Sequence, residues 1–246
     1  MPVIAMTHEI GSLGDCVAAR LAVRLGIEFA DQLFLEDRIV DRLECCKSLF
    51  SHHRIDRRQL VAGRRDFGRV RPAQDPRCRD VASSVIARLA MDEIRELAAY
   101  GNVLLKGWGA PTVLRNCPHI FRIRVTAPID VRLAIMAARA GSCDERALRN
   151  TIETSDACLA GNLEPALGPG WRTGDDYHLV LGMQALTADD AVTLLADYVK
   201  AAIRRDQHLL EAPVMPRRVT TWDAAKSPGS DLASISRAEQ VLFGSH

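Results

Sequence analysis

Short apolar runs alternate along the chain with longer stretches whose apolar residues recur at helical spacing. The short runs predict buried strands at residues 3–6, 102–105, 120–125 and 177–181. The longer stretches predict helices at residues 15–25, 31–43, 81–99, 128–140, 144–159 and 187–205. Residues 120–125 alternate apolar side chains with Arg122 and Arg124, which is typical of a strand nearer an edge. Because strands alternate with helices, the pattern predicts a three-layer α/β fold whose parallel sheet is covered on both faces.

Two stretches do not follow this pattern and suggest the domain boundaries. We predict one domain over residues 1–210 with a mobile basic insert at residues 47–80, followed by a polar, partly disordered tail over residues 211–246. A short helix is predicted inside the tail at residues 233–243. The insert is rich in arginine: Arg54, Arg57, Arg58, Arg64, Arg65, Arg69, Arg71, Arg77 and Arg79. Three interpretations stay open for it, namely closure over an anionic substrate, binding of nucleic acid or an acidic partner, and a solvated loop.

Composition and charge narrow the class of protein. The 246 residues carry 32 basic and 31 acidic side chains, so the net charge of +1 gives no overall field that would favour nucleic acid or membranes. Within residues 54–79 the only aromatic residue is Phe67, which argues against a stacking platform for single-stranded nucleic acid. We therefore do not expect nucleic acid as a ligand, whereas a protein partner could bind through the insert or the tail.

No feature of the sequence points to secretion, to a membrane span or to a metal site. No apolar stretch approaches the roughly 18–20 residues that a spanning helix needs. The first residues lack a basic segment followed by a long apolar run, so we expect no signal peptide. The seven cysteines form no CxxC pair, and their odd number argues against a disulfide framework. We therefore expect a cytoplasmic protein with reduced thiols and without metal-ligating residues.

The turn after the first predicted strand is a candidate phosphate site. It reads Gly11-Ser12-Leu13-Gly14 and leads directly into a predicted helix. Such a turn places backbone N–H groups around an anion, and the N-terminus of the helix adds positive potential. The glycines allow a close approach, and Ser12 offers a hydroxyl. A plain connection with glycines for tight packing is the alternative, since the G-K-[ST] ending of a standard phosphate-binding loop is missing.

Four short runs occur in the order that one known family uses. Residues 7–14 (THEIGSLG) are similar to its turn S-R-x-x-G-S-G-G, which also ends without lysine. Residues 107–110 (GWGA), 127–132 and 171–179 are similar to its runs G-R-G-A, A-P-x-x-x-R and W-x-D-P-x-x-Y-D-L. Together they resemble the cytidylate kinase-like family, relatives of the P-loop nucleoside-monophosphate kinases, over about residues 1–205.

This resemblance implies a P-loop kinase-like core with helical monophosphate-binding and lid segments. It also implies ATP and Mg²⁺ as cofactors, and phosphoryl transfer to a nucleoside monophosphate such as CMP. The implied catalytic residue is Arg132. The residues implied to bind the cofactor are Gly11, Ser12, Leu13, Gly14 and Asp15. Those implied to bind the substrate are Gly107, Trp108, Gly109, Arg64 and Arg65. The implied lid residues are Arg139, Arg146 and Arg149, for which solvated helix-face charges are the alternative.

Several positions depart from the family pattern. The family's first arginine is replaced by His8, and the arginine of G-R-G-A is replaced by Trp108. Asp15 stands where the family is often basic, and Leu13 adds bulk where the backbone must approach phosphate. Lys106 is a candidate replacement cation. Because phosphoryl transfer depends on such cations, two hypotheses remain: an active kinase, and a catalytically degenerate pseudo-kinase that binds nucleotide or a protein partner.

Overall fold

The computed structural model describes residues 2–45, 76–140, 144–167 and 174–205. Its strands are β1 (Val3–His8), β2 (Glu28–Ala30), β3 (Val103–Lys106), β4 (Ile120–Thr126) and β5 (Leu179–Gly182). Its helices are α1 (Gly14–Leu25), α2 (Gln32–Cys45), α3 (Pro76–Tyr100), α4 (Ala110–Val113), α5 (Ile129–Ala140), α6 (Glu145–Leu167) and α7 (Ala188–Arg205). None of these helices is long and apolar enough to cross a membrane. The predicted tail and most of the basic insert, with Arg64 and Arg65, lie outside the described residues.

The five strands form one parallel sheet in the order β2-β3-β1-β4-β5. The first strand of the chain is therefore the central one, and Val3 pairs with Val103 of β3 on one side and with Ile120 of β4 on the other. β4 lies next to the edge strand β5, which agrees with its alternating sequence. The predicted fold class, a parallel sheet between two layers of helices, is confirmed.

Alternate residues of the central strand are buried against opposite helical layers. Ile4 and Met6 belong to a core cluster to which α1, α5 and α7 contribute. Val3 and Ala5 belong to a second cluster, completed by residues of α2, α3 and α4. Successive side chains of a strand point to opposite faces, so apolar residues at every position require cover on both faces. The carboxyl ends of the strands are left at one edge of the sheet, which is where ligands bind in such folds.

Two short elements were missed by the sequence analysis. β2 has three residues and α4 has four, too few to show the spacing typical of a strand or a helix. β2 exists because its backbone pairs with β3, with Phe29 opposite Leu104. The longer predicted elements that fall within the described residues are present, although α3 begins at Pro76, inside the predicted basic insert, and α6 continues to Leu167, past its predicted end at residue 159. The helix predicted at residues 233–243 lies outside the described residues.

Candidate functional site

The turn between β1 and α1 contains two glycines that are required for different reasons. Gly11 has a φ of +81°, and a Cβ there would lie 2.9 Å from the carbonyl oxygen of Arg132. Gly14 begins α1, and a Cβ there would lie 2.2 Å from the Cβ of His8. The turn is therefore packed against both α5 and the end of β1, which fixes the position of its backbone N–H groups.

Leu13 occupies an unusual backbone conformation within this turn. Its φ of 62° and ψ of 5° are left-handed, which costs a residue other than glycine about 1–2 kcal/mol. The side chain is 2 % exposed and belongs to the core cluster around α1 and β1. The expectation that Leu13 adds bulk toward a phosphate is therefore wrong, because that bulk lies in the hydrophobic core.

Ser12 is the polar side chain of the turn. It is completely buried, and its hydroxyl oxygen has no hydrogen-bond partner within the described part of the chain. Leaving a buried hydroxyl unpaired costs about 1–3 kcal/mol, so such groups are rare in folded proteins. The hydroxyl lies near the N-terminus of α1, where backbone N–H groups and the helix dipole favour an anion, and the turn must open for a ligand to reach it.

Two basic side chains meet the carboxylate of Asp15 in the first turn of α1. Lys106, the last residue of β3, donates a hydrogen bond to it. His8 Nε2, from the end of β1, lies 3.3 Å from the same Asp15 Oδ1. Burial alone would raise the pKa of Asp15, but His8 and Lys106 outweigh it and hold that pKa well below its usual range. Asp15 therefore remains ionised as the shared anion of this cluster.

The second glycine turn follows β3. Gly107, Trp108 and Gly109 all have positive φ, at 109°, 47° and 63°. Trp108 packs against the core cluster that α2 and α3 cover, and its buried indole Nε1 has no hydrogen-bond partner among the described residues. The tryptophan therefore connects this turn to the helices beside it and contributes no charge. Substrate binding by these three residues remains a prediction.

Arg132 is nearly buried, at 5 % exposure, and joins three parts of the structure. Its Nε donates to the carbonyl oxygen of Ile10 at 2.7 Å, in the turn after β1. Its Nη1 and Nη2 donate to the two carboxylate oxygens of Asp156 in α6, each at 2.8 Å. Since a guanidinium carries five N–H groups, two remain for other acceptors. The side chain thus lies next to the turn between β1 and α1, and its hydrogen bonds are to other parts of the protein.

The three predicted lid arginines lie in different surroundings. Arg139, near the end of α5, has its Nε and Nη2 buried without a hydrogen-bond partner among the described residues. Arg146 is exposed. Arg149 donates to Glu145 at 3.0 Å, an i,i+4 pair typical of a solvated helix face. Of these three, Arg139 is the one with unmet donors.

Glu9 was not singled out from the sequence, yet it organises the end of β1. Its carboxylate accepts from Arg124 Nη2 at 3.2 Å and from the backbone N–H of Ala127 at 3.2 Å. These bonds tie the end of β1 to the end of β4. The alternating pattern of β4 marks Arg124, but it cannot identify a partner 115 residues away.

A bound metal ion needs several ligand atoms close together, and Mg²⁺ takes oxygen ligands. Within the described ranges, no group of three or more His, Cys, Asp or Glu side chains is placed to hold one. Magnesium in kinases is usually bound by one or two carboxylates together with the phosphates of the substrate. Asp15, a carboxylate in the first turn of α1, already pairs with Lys106 and His8. Among the described residues a magnesium ion would find no ready cluster of side-chain ligands and would depend on the phosphates of its substrate.

A five-stranded parallel sheet with helices on both faces, and a glycine turn leading from its central strand into a helix, defines a three-layer αβα fold. The chain belongs to the cytidylate kinase-like family, whose model matches residues 3–185. It is therefore a kinase-like protein of a nucleotide-binding family. The resemblance inferred from the four short runs is confirmed.

The chain is similar to several solved structures. An uncharacterized protein from Eubacterium ventriosum ATCC 27560 shares 17% identity, with a TM-score of 0.59 over 82% of this chain and 99% of its own. Shikimate kinase from Bacteroides thetaiotaomicron shares 14% identity over 81% of this chain and 98% of its own, with a TM-score of 0.46. TT1252 from Thermus thermophilus shares 20% identity over 82% of this chain and 98% of its own, with a TM-score of 0.48. A search of the curated proteins found no match to the chain.

Proposed function

We propose that this protein binds ATP at the turn between β1 and α1 and transfers its γ-phosphoryl group to a nucleoside monophosphate. The observation that carries the proposal is the wholly buried hydroxyl of Ser12, which has no hydrogen-bond partner among the described residues and lies between two glycines at the N-terminus of α1. A phosphate oxygen is the acceptor that would satisfy it. Family membership supplies the reaction class, since the relatives that the family is named for are kinases.

The chain's own residues would act mainly by positioning. The backbone N–H groups of residues 11–14 and the hydroxyl of Ser12 would donate to phosphate oxygens, while the N-terminus of α1 adds positive potential. Arg132 would hold the turn in place through its bond to Ile10, with its two remaining N–H groups free to neutralise charge. ATP would supply the transferred group, whose bond to the bridging oxygen breaks as an oxygen of the acceptor phosphate attacks.

For the acceptor we propose a pyrimidine nucleoside monophosphate, with CMP as the first candidate. The support is the family alone, and the second glycine turn at Gly107–Gly109 is its proposed contact. Arg64 and Arg65 are proposed to close on the acceptor phosphate, and Arg139, Arg146 and Arg149 to serve as lid residues. Arg139 has the best support among them, because two of its buried nitrogen atoms have no partner in the described residues.

The test combines binding and turnover in one sample. Purified protein is mixed with ATP and MgCl₂ and with CMP, dCMP, UMP or AMP, and thermal stability and diphosphate formation are followed together. Turnover with one acceptor is the expected result. If no nucleotide stabilises the protein and no diphosphate forms, the proposal is wrong.

A second candidate function is a pseudo-kinase that binds nucleotide or a protein partner without turnover. Two observations favour it: the guanidinium of Arg132 is engaged by Asp156, and Trp108 fills a position that carries arginine in the family pattern. The loss of one such cation reduces phosphoryl transfer by about 10³–10⁵. Thermal stabilisation by ATP without any diphosphate would identify this function.

A further inference from the structure

Lys106 is a nearly buried charged residue at the end of a strand that is otherwise apolar. The other three residues of β3 are apolar and buried on the two faces of the sheet. Lys106 itself is 8 % exposed, although an ammonium group is costly to remove from water. Packing of the strand does not require a lysine here, so the charge needs another explanation.

The position of Lys106 directs its charge to the phosphate-binding turn. Lys106 pairs in the sheet with Met6 of β1, two residues before that strand ends. Its ammonium lies 5.8 Å from the centroid of the Phe29 ring and donates to Asp15 in the first turn of α1. The side chain thus reaches from the neighbouring strand to the N-terminus of the helix that follows the turn.

Standard phosphate-binding loops carry a lysine directly after the last glycine of the loop, but here Asp15 follows Gly14. Residues 11–14 (GSLG) carry no cation either. A cation for this site must therefore come from outside the turn. Lys106 and His8 are the basic side chains that meet there, and both are directed at the same oxygen of Asp15.

Asp15 occupies the position of an anion at this site. A carboxylate near a helix N-terminus, contacted by an ammonium and an imidazole, has the surroundings that a phosphate oxygen prefers. About a third of its side-chain surface is exposed, so Asp15 can turn toward water when another anion arrives. The ammonium of Lys106 would then exchange one carboxylate for one phosphate, without becoming an unpaired buried charge at any point.

We infer that Lys106, together with Arg132, neutralises the nucleotide phosphates in this protein, and that Asp15 holds Lys106 as a competing internal anion when no nucleotide is bound. The inference rests on the proposed nucleotide binding. It assigns Lys106 the charge of the missing loop lysine, supplied from an adjacent strand. It also assigns Asp15 a regulatory effect, since every phosphate that binds must displace it.

The test compares binding of ATP and of adenosine by isothermal titration calorimetry to the full chain and to three variants. Lys106→Met should weaken ATP binding about 10- to 100-fold, the effect of losing one charged hydrogen bond, and should leave adenosine binding unchanged. Asp15→Asn should strengthen ATP binding, because the internal competitor loses its charge. Lys200→Met removes an exposed lysine from α7 and is the matched control, with no change expected.

The possible outcomes distinguish a failure of this inference from a failure of the proposed nucleotide binding. If the unmodified protein binds neither ATP nor adenosine, the proposed function fails and the inference fails with it. If the unmodified protein binds ATP but Lys106→Met keeps the same preference for ATP over adenosine, the function stands and the inference is wrong. If the Lys106–Asp15 pair served only the fold, both Lys106→Met and Asp15→Asn would unfold at a lower midpoint, and Asp15→Asn would not bind ATP more tightly. Since Asp15→Asn retains the lysine, it decides the question even if Lys106→Met does not fold.

Discussion

Arg132 and Asp156 are joined by two parallel hydrogen bonds of 2.8 Å that connect α5 to α6. The two partners are buried to different degrees, since the side chain of Arg132 is 6 % exposed and that of Asp156 is 44 % exposed. The carboxylate can be hydrated if the pair breaks, whereas the guanidinium cannot. The cost of breaking the pair therefore depends mainly on which partner is left behind.

The first prediction concerns this pair. Asp156→Asn should lower the free energy of unfolding by about 1–3 kcal/mol, because a nearly buried guanidinium loses its counterion. Urea unfolding measures the change, with Glu153→Gln on the exposed surface of the same helix as the control. Equal midpoints for the two variants would contradict a structural role of the pair. Titration of ATP into the same variant adds a second readout, because tighter binding would mean that Asp156 competes with phosphate for Arg132.

Ser12→Ala should separate stability from ligand binding. The buried hydroxyl of Ser12 has no hydrogen-bond partner among the described residues, so its removal should leave the free energy of unfolding unchanged or raise it by up to about 1 kcal/mol. Affinity for ATP should fall about tenfold, because the phosphate loses a donor. Thr112→Val is the matched control, since it also removes a buried hydroxyl without a partner but lies outside the turn. Loss of stability in Ser12→Ala with intact ATP affinity would show that the hydroxyl serves the fold.

Substitutions of Leu13 compare the cost of losing a buried side chain with the cost of a left-handed backbone conformation. Leu13→Gly removes a buried side chain, at about 2–5 kcal/mol, and relieves a left-handed backbone worth about 1–2 kcal/mol. The protein should therefore be destabilised overall. Leu13→Ala loses nearly the same side chain but keeps the backbone strain, so it should unfold at a lower urea concentration than Leu13→Gly. The reverse order would mean that the left-handed conformation is not maintained in solution.

His178 should make the edge strand sensitive to pH. The imidazole Nδ1 of His178 accepts from the backbone N–H of Arg122 at 3.3 Å. The backbone N–H of His178 donates to the backbone carbonyl oxygen of Arg122 at 2.8 Å. Burial, and then the charge of Arg122, lower the pKa of His178 from its usual 6.5. The folded protein therefore binds this proton less readily than the unfolded chain, and the contribution of His178 is complete above pH 6.5 and falls as the pH drops below it. Amide hydrogen exchange of β5 measured between pH 7.5 and pH 5 should show faster opening at the acid end, corrected for intrinsic exchange. His178→Asn should remove that difference.

Glu93 provides a prediction about the helices next to the second turn. Its side chain is fully buried and is paired with Arg38 and Arg42, both of which keep about a third of their surface exposed. The double variant Arg38→Met with Arg42→Met leaves a buried carboxylate unpaired and should cost about 3–5 kcal/mol. Glu93→Leu leaves two arginines that water can reach, and Arg42 still pairs with Glu96, so it should cost less. Guanidinium-induced unfolding gives the order, and a larger loss in Glu93→Leu would contradict the argument.

The sequence predicted the fold well because its signals were local. The apolar run of β1, the two glycines at 11 and 14, and the helix that follows lie within about twenty-five residues, so a strand, a turn and a helix could be predicted there. The short elements β2 and α4 could not be predicted, since their existence depends on pairing and packing with distant residues.

The site was only partly predictable, because its contacts are long-range. Lys106 and Asp15 are 91 residues apart, and only the sheet order brings them together. The sequence marked Asp15 as an unfavourable charge next to a phosphate, without showing which cations surround it. Similarly, the direction of the Leu13 side chain follows from its left-handed backbone, which no residue pattern indicates.

The central position of β1 has a consequence for synthesis on the ribosome. This strand is made before both of its neighbours, and the nearer of them begins at residue 103, about 100 residues later along the chain. At about 5–20 residues per second, translation leaves β1 without either neighbour for roughly 5–20 s. During that time β1, whose first four residues are apolar, exposes two unpaired edges, the kind of segment that molecular chaperones protect from aggregation. The nascent protein should therefore acquire its tertiary structure only after β3 and β4 have left the exit tunnel.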